Sequence, residues 1–259
     1  MHPSEYSPSK VPLETLPIPG GKQIVYTQTR QLSTNTRYLK ANRIITGPTD
    51  PIEAQYKVLR THVRQRMLAN KWQALAITSP REGAGKTLTS VNLAISLARE
   101  VNQTILLVDL DLRRPSVAGC FTAERLPGIS DYLYEDIPLN ELLFNPEGID
   151  RLVVLPGNQA MAHSSEMLSS PKMVALIEEL KTRYPSRLLL LDMPPLLACD
   201  DVLAFSPYFD AALLVVEESF TTRDEIRQSL DLLRGTNVLG LVLNKSSDEV
   251  PTYGYGDHR

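Results

Sequence analysis

Two cysteines, Cys120 and Cys199, are too few to staple a chain of 259 residues. Stability must come from a hydrophobic core, and the chain reads as one made for a reducing compartment. The four histidines show no ligand spacing, which argues against a transition-metal site. No apolar run is long enough to cross a bilayer, and no signal peptide is visible. The basic residues are not set in a recognisable nucleic-acid module, so no nucleic-acid partner is expected. Neither sign of charge dominates, with 27 Lys and Arg against 30 Asp and Glu and a net of −3. The distribution is uneven, however: residues 1–71 hold 11 Lys and Arg against 4 Asp and Glu, and the remainder 16 against 26. The basic part could meet an acidic surface, or it could simply be a solvated helix face and arm.

A hydrophobic fraction of 42% and a charged fraction of 22% are ordinary for a globular domain. Residues 1–47 form an arm with Pro3, Pro8, Pro12, Pro17 and Pro19, expected to be extended or partly disordered, with a short strand at most over Gln23 to Thr27. The main domain spans 48–246, and a flexible tail spans 247–259. From Asp50, the apolar residues Ile52, Tyr56, Leu59, Val63 and Met67 recur at helical spacing. Strands are predicted at 73–78, 104–109, 152–155, 187–192, 211–217 and 238–244. Helices are predicted at 86–100, 164–183 with a break at Pro171, 200–206 and 222–235. Apolar strands alternating with helices imply an α/β fold: a mostly parallel sheet with helices on both faces.

Three motifs carry the chemistry. The first, SPREGAGKT at Ser79 to Thr87, lies between an apolar strand and an amphipathic helix. Its turn aims backbone N–H groups at the helix N-terminus, whose unpaired donors and positive dipole end bind phosphate. Gly83 and Gly85 permit close backbone approach. Lys86 can reach β- and γ-phosphates, and the Thr87 hydroxyl can ligate Mg²⁺. Pro80 stands where the general pattern has its first glycine. The third motif, LLLLDMPP at Leu188 to Pro195, ends a buried strand in Asp192, placed to hold Mg²⁺ directly or through water. The middle motif, ILLVDLDLRRP at Ile105 to Pro115, adds Asp109 and Asp111, two residues apart. On a strand both would face one side. One could serve the metal and the other take a proton from an attacking hydroxyl. Arg113 and Arg114 could steady phosphate charge. The lesser alternative for this string in isolation is an acidic turn neutralised by its own arginines.

With these three motifs in this order, the chain from about Asp50 to Asn244 resembles the bacterial P-loop tyrosine kinases of capsule and exopolysaccharide synthesis. The resemblance implies a P-loop NTPase-type fold and an ATP- and Mg²⁺-dependent autokinase. It makes Lys86 and Thr87 the Walker A pair, Asp109 and Asp111 a second acidic pair, and Asp192 the Walker B carboxylate. Lys86, Asp109, Asp111 and Asp192 are then the catalytic set. ATP would be held by Gly83, Ala84, Gly85, Lys86, Thr87, Leu88 and Arg113, with Asn244 near the adenine. The metal would be held by Thr87, Asp109 and Asp192. Asp201 matches an acidic residue after the Pro-Pro pair. Tyr253 and Tyr255 match a tail tyrosine cluster modified by a neighbouring subunit.

The implied partners are a membrane polysaccharide co-polymerase and further copies of the chain. The implied location is the cytoplasm, or the inner face of the plasma membrane as a peripheral protein. The sequence departs from the family pattern at Ala84, where a Glu is common, and at Met193, where Thr is usual. Ala54, Lys57 and Arg60 stand where a ring-forming E-x-x-R-x-x-R helix would be, with Glu53 one residue out of register. Two other classes share these features. One is a deviant-Walker nucleotide-switch ATPase, although Arg81 and Glu82 replace the first Lys-Gly of its loop. The other is a non-catalytic nucleotide-binding docking subunit.

Overall fold

A computed structural model describes residues 29–100, 103–182 and 187–247. Eight strands form one sheet in the order β1-β4-β5-β3-β6-β2-β7-β8. They are β1 (Arg30–Leu32), β2 (Ala74–Thr78), β3 (Thr104–Asp109), β4 (Phe144–Pro146), β5 (Leu152–Leu155), β6 (Arg187–Asp192), β7 (Ala211–Glu217) and β8 (Val238–Asn244). Every neighbouring pair is parallel except β4 with β5. The central strands are near-continuous apolar runs because helices cover both of their faces.

Strand alternation sorts the core into two layers. Leu75, Ile77, Ile105, Leu107, Leu188 and Leu190 face one side. There they meet Val63 and Met67 of α2 (Pro51–Asn70) and the buried face of α3 (Lys86–Ala98). Ala74, Ala76, Leu106, Val108, Leu189 and Leu191 face the other side. They meet α7 (Pro171–Thr182) and α8 (Asp201–Phe205). Each fully buried Leu contributes about 1.5–3 kcal/mol relative to exposure. Together the two layers fix the strand ends that carry the motif residues.

The observed strands coincide with the six predicted from sequence to within one residue, and two short strands were not foreseen. β1 and β4 are three residues each; one is mostly exposed and the other contains Pro146, so neither shows an apolar alternation. The helical stretch expected over 164–183 is two helices, α6 (Ser164–Leu168) and α7. Pro171 begins the second, where its missing N–H costs no helical bond. Helices α4 (Ile129–Glu135) and α5 (Leu139–Leu142) were also unforeseen, and α9 (Arg223–Leu232) was foreseen.

Residues 30–47 differ from the expected arm. They carry β1 and α1 (Thr36–Ala41) and bury Leu39, Ile44 and Ile45 in the α2–α3 layer. Asn92 of α3 ties this segment down, accepting from Ile45 N at 2.9 Å and donating to Arg43 O at 3.0 Å. The short strand weighed over Gln23 to Thr27 lies outside the described residues, as do Tyr253 and Tyr255.

Candidate active site

The phosphate loop runs from the end of β2 into α3. Gly83 has φ +82° and Gly85 φ +90°, a region costly for any residue with a side chain. Gly85 is the N-cap of α3 and makes no side-chain cap, so the first-turn amides remain open at the loop. Gly85 is also sterically bound: a Cβ there would lie 2.1 Å from Asn244 Nδ2. Asn244 ends β8 and donates to Ala84 O at 2.8 Å, bracing the loop from the sheet edge. Ala84 is buried beneath that brace.

β3 and β6 lie side by side in register, with Asp109 opposite Asp192. This places two buried carboxylates at the carboxyl end of adjacent parallel strands, the position where open α/β sheets bind ligands. Asp192 is held by α3: Thr87 Oγ1 donates to its Oδ2 at 2.7 Å, and Ser90 Oγ lies 2.9 Å from its Oδ1. Asp109 Oδ2 accepts from the amides of Ser116 and Val117, both at 2.9 Å. Its Oδ1 is buried without a hydrogen-bond partner. Asp111 follows the strand rather than belonging to it, so the two acids expected on one side of a strand are used differently. Asp111 Oδ2 pairs with Lys86 Nζ at 2.6 Å, and its Oδ1 accepts from Arg114 N at 3.1 Å. Lys86 Nζ is also 3.9 Å from Asp192 Oδ2.

The electrostatics follow from this crowding. Burial first, then the charge of Asp192, pushes the Asp109 carboxyl up to about 8. Burial also raises Asp192, against the opposing pull of Lys86, Thr87 and Ser90. Burial draws the Lys86 ammonium down, but Asp192 and Asp111 outweigh it and hold it above its ordinary value. Nearby Cys120 is pushed up to about 12, chiefly by burial and then by Asp192 and Asp109. Its thiol is therefore an inert neighbour rather than a nucleophile.

These groups fit a hard divalent cation. Thr87, Asp109 and Asp192 supply only oxygen donors, and Asp109 Oδ1 is an orphaned buried acceptor. Among the described residues no three or more His, Cys, Asp or Glu converge into a self-sufficient cage. Mg²⁺ does not need one, because it keeps waters and substrate phosphates as ligands.

A cavity of about 900 Å³ opens over the loop, lined by Gly83, Gly85, Lys86, Thr87, Leu88 and Asp111 among others. Arg113 and Arg114 also line it, each paired with a carboxylate: Arg113 with Asp201 at 3.2 Å, Arg114 with Glu82. Asp201 is fully buried. A second hollow of about 350 Å³ adjoins at Gly85 and Leu88 and contains Asn244, Tyr56 and Arg43. The structure thus gathers Lys86, Thr87, Asp111 and Arg113 in one cavity, puts Asp109 and Asp192 beneath it, and sets Asn244 beside it. The sequence reading missed Ser90, Ser116 and the 160–162 segment. A hydroxyl three residues after Thr87 on the same helix face was the available signal for Ser90; the 160–162 segment carried none.

The AAA domain family profile matches residues 72–221. Tyrosine-protein kinase CpsD of Streptococcus agalactiae is 30% identical over 80% of this chain and 89% of that protein. A protein named putative tyrosine-protein kinase EpsB, from Ralstonia nicotianae, is 31% identical over 87% of this chain. This chain spans about 30% of EpsB's length. The kinase domain of Escherichia coli tyrosine kinase ETK superposes with a TM-score of 0.71 at 29% identity, covering 89% of each chain. Phosphate loop, paired strand-end carboxylates and these likenesses agree, and the chain belongs to the bacterial P-loop tyrosine kinase family.

Proposed function

We propose that this chain is an ATP- and Mg²⁺-dependent tyrosine autokinase that regulates capsule or exopolysaccharide polymerisation or export together with a membrane co-polymerase. The observation that carries the reading is the 2.6 Å pair between Lys86 and Asp111 at the cavity floor. It holds a phosphate-binding cation and a proton acceptor against each other.

The steps follow from that pair. The open amides of the loop and of the first turn of α3 receive the β- and γ-phosphates. Lys86 turns from Asp111 to the phosphate oxygens. Asp111, which lines the cavity, is thereby freed to take the proton of an incoming tyrosine hydroxyl. Asp109 is anchored by two amides below the cavity and suits holding rather than shuttling a proton. Arg113 stands at the same cavity to steady charge on the transferring group. Thr87, Asp109 and Asp192 would hold Mg²⁺, which would supply neutralising charge to the phosphates. The nucleoside extends toward the hollow beside Asn244. The tail residues Tyr253 and Tyr255 are the proposed acceptors, supplied by a second copy.

Intact mass after incubation with Mg²⁺ and ATP tests this reading. Added phosphate is expected on the parent, none on Lys86→Met, and less on a Tyr253→Phe/Tyr255→Phe double variant. Loss of one preorganised charge stabiliser typically lowers such a rate about 10²–10³-fold. An unmodified parent, with or without a fragment of the membrane partner, would reject the kinase reading.

A further inference from the structure

The loop that follows β3, residues 110–117, carries Asp111, Arg113 and the two amides that hold Asp109. Among the described residues, two backbone hydrogen bonds tie it to other elements. Leu110 N donates to Asp192 O at 2.9 Å where the loop begins, and Leu112 O accepts from Met161 N at 2.7 Å. Its support further along is steric. Gly157 lies so close to Pro115 that a Cβ there would stand 2.7 Å from Pro115 Cβ and 3.4 Å from Asp109 O. The loop therefore takes its place from the turn at 156–161 that follows β5.

That turn is clamped in its own right. Ile129 N and Ser130 N, in the first turn of α4, donate to Pro156 O at 2.8 Å and Gly157 O at 3.1 Å. Ser130 Oγ accepts from Gln159 N at 3.1 Å. Between them Asn158 has φ +68°, a left-handed backbone that asparagine adopts more readily than most residues. Both ends of its side-chain amide are used. Nδ2 donates to Asp131 Oδ2 at 2.7 Å, and Oδ1 accepts from Arg125 Nε at 3.0 Å. Asp131 is buried, and the same Oδ2 accepts from Gly128 N at 2.6 Å. A buried carboxylate that loses a donor is costly, so the turn resists sliding away from α4. Neither Asn158 nor Asp131 lines the cavity.

We propose that Asn158 is a positioning residue for phosphoryl transfer. The chain Asp131–Asn158–Arg125 locks the turn at 156–161. The turn in turn sets Asp111 against Lys86, and the Ser116 and Val117 amides against Asp109. The role toward Asp111 rests on the kinase reading above; the role toward Asp109 concerns only how that carboxylate is aimed at a cation. Residues that orient a metal ligand through an intermediate group typically change metal affinity or activity about 10–100-fold when removed.

Asn158→Gly tests this, because glycine keeps the left-handed backbone without strain and removes both side-chain bonds. The Mg²⁺ concentration that half-saturates binding of a fluorescent ATP analogue should rise about 10-fold, and kcat for autophosphorylation should fall about 10-fold. Affinity for the analogue in a chelator should stay within about twofold, because the phosphate-loop amides are untouched. Arg125 is exposed, so Arg125→Gln keeps the fold whether or not the glycine variant does; it should move the first two readings the same way by a smaller factor. Equal losses in all three readings with a lowered melting temperature would make Asn158 a fold stabiliser only. That outcome, or variants that match the parent in Mg²⁺ dependence and kcat, overturns the proposal while the kinase reading stands. A parent that transfers no phosphate removes the kinase reading, and the Mg²⁺ titration alone then decides whether Asn158 positions Asp109.

Discussion

Gly85 is constrained twice, by a left-handed backbone and by the Asn244 amide filling the place of a side chain. Gly85→Ala should therefore lower nucleotide affinity at least about tenfold, the equivalent of about 1.4 kcal/mol, in a fluorescent-analogue titration. Unchanged affinity would show that the loop adjusts freely. Asp109 gives a pH prediction for the metal-free protein. Its folded value of about 8 lies above an ordinary carboxylate value. The folded state thus keeps a proton that the unfolded chain has released, so stability falls as pH rises from the carboxylate range toward about 8. Asp109→Asn removes the charge and should flatten the decline in melting temperature over that interval, measured in a chelator. Equal slopes for parent and variant would reject this. At this scale the sequence displayed the charged site residues, because their spacing repeats a physical requirement. It did not display Ser116, whose amide caps Asp109, because a serine in a loop carries no periodic signal.

Elements were most legible where burial dictated composition. β2, β3 and β6 are buried along nearly their whole length, and their apolar runs announce them. β1 and β4 are read only through partners: β1 pairs with β4 residue for residue from Arg30 and Phe144, a contact across more than a hundred positions that no local pattern records. Likewise α1 is capped by Asn35, which accepts from Arg37 N at 2.9 Å, and the residues that follow it are held by Asn92. Leu190 sits in the middle strand under α3 and is fully buried. Leu190→Ala should cost about 2–5 kcal/mol in urea denaturation, with little change in the denaturant slope. A loss below about 1 kcal/mol would mean that the layer collapses into the cavity.

Across the whole molecule, Glu53, which stands one residue out of the ring-forming register, is turned inward. Glu53 is fully buried between α2 and α3, 3.6 Å from Arg60 Nη1 and 3.2 Å from Arg99 Nη1, and it accepts from Ser96 Oγ at 3.2 Å. Removing it strands Arg99 beside the α2–α3 contact, while Arg60 keeps Glu100 at 3.2 Å. Glu53→Ala should destabilise the fold by about 3–5 kcal/mol. Light scattering on the still-folded fraction should return the parent's oligomeric state; a shift to a smaller species would give Glu53 an intermolecular role instead.

The strand order carries a consequence for synthesis. β6 is inserted between β3 and β2, yet it is encoded about eighty residues after one and over a hundred after the other. A nascent chain that has left the ribosome only as far as α7 therefore holds β2 and β3 with a full-length apolar gap between them. Neither strand has its inner neighbour, and Thr87 lacks the carboxylate 105 positions downstream that receives its hydroxyl. Such non-local closure is slow and leaves strand edges open meanwhile. Emergence of β6 closes the gap between β2 and β3, and emergence of β7 and β8 then brings the Asn244 brace to the phosphate loop. A stalled chain ending before β6 should bind chaperones and no nucleotide, and a chain extended far enough for Asn244 to leave the ribosome should reverse both.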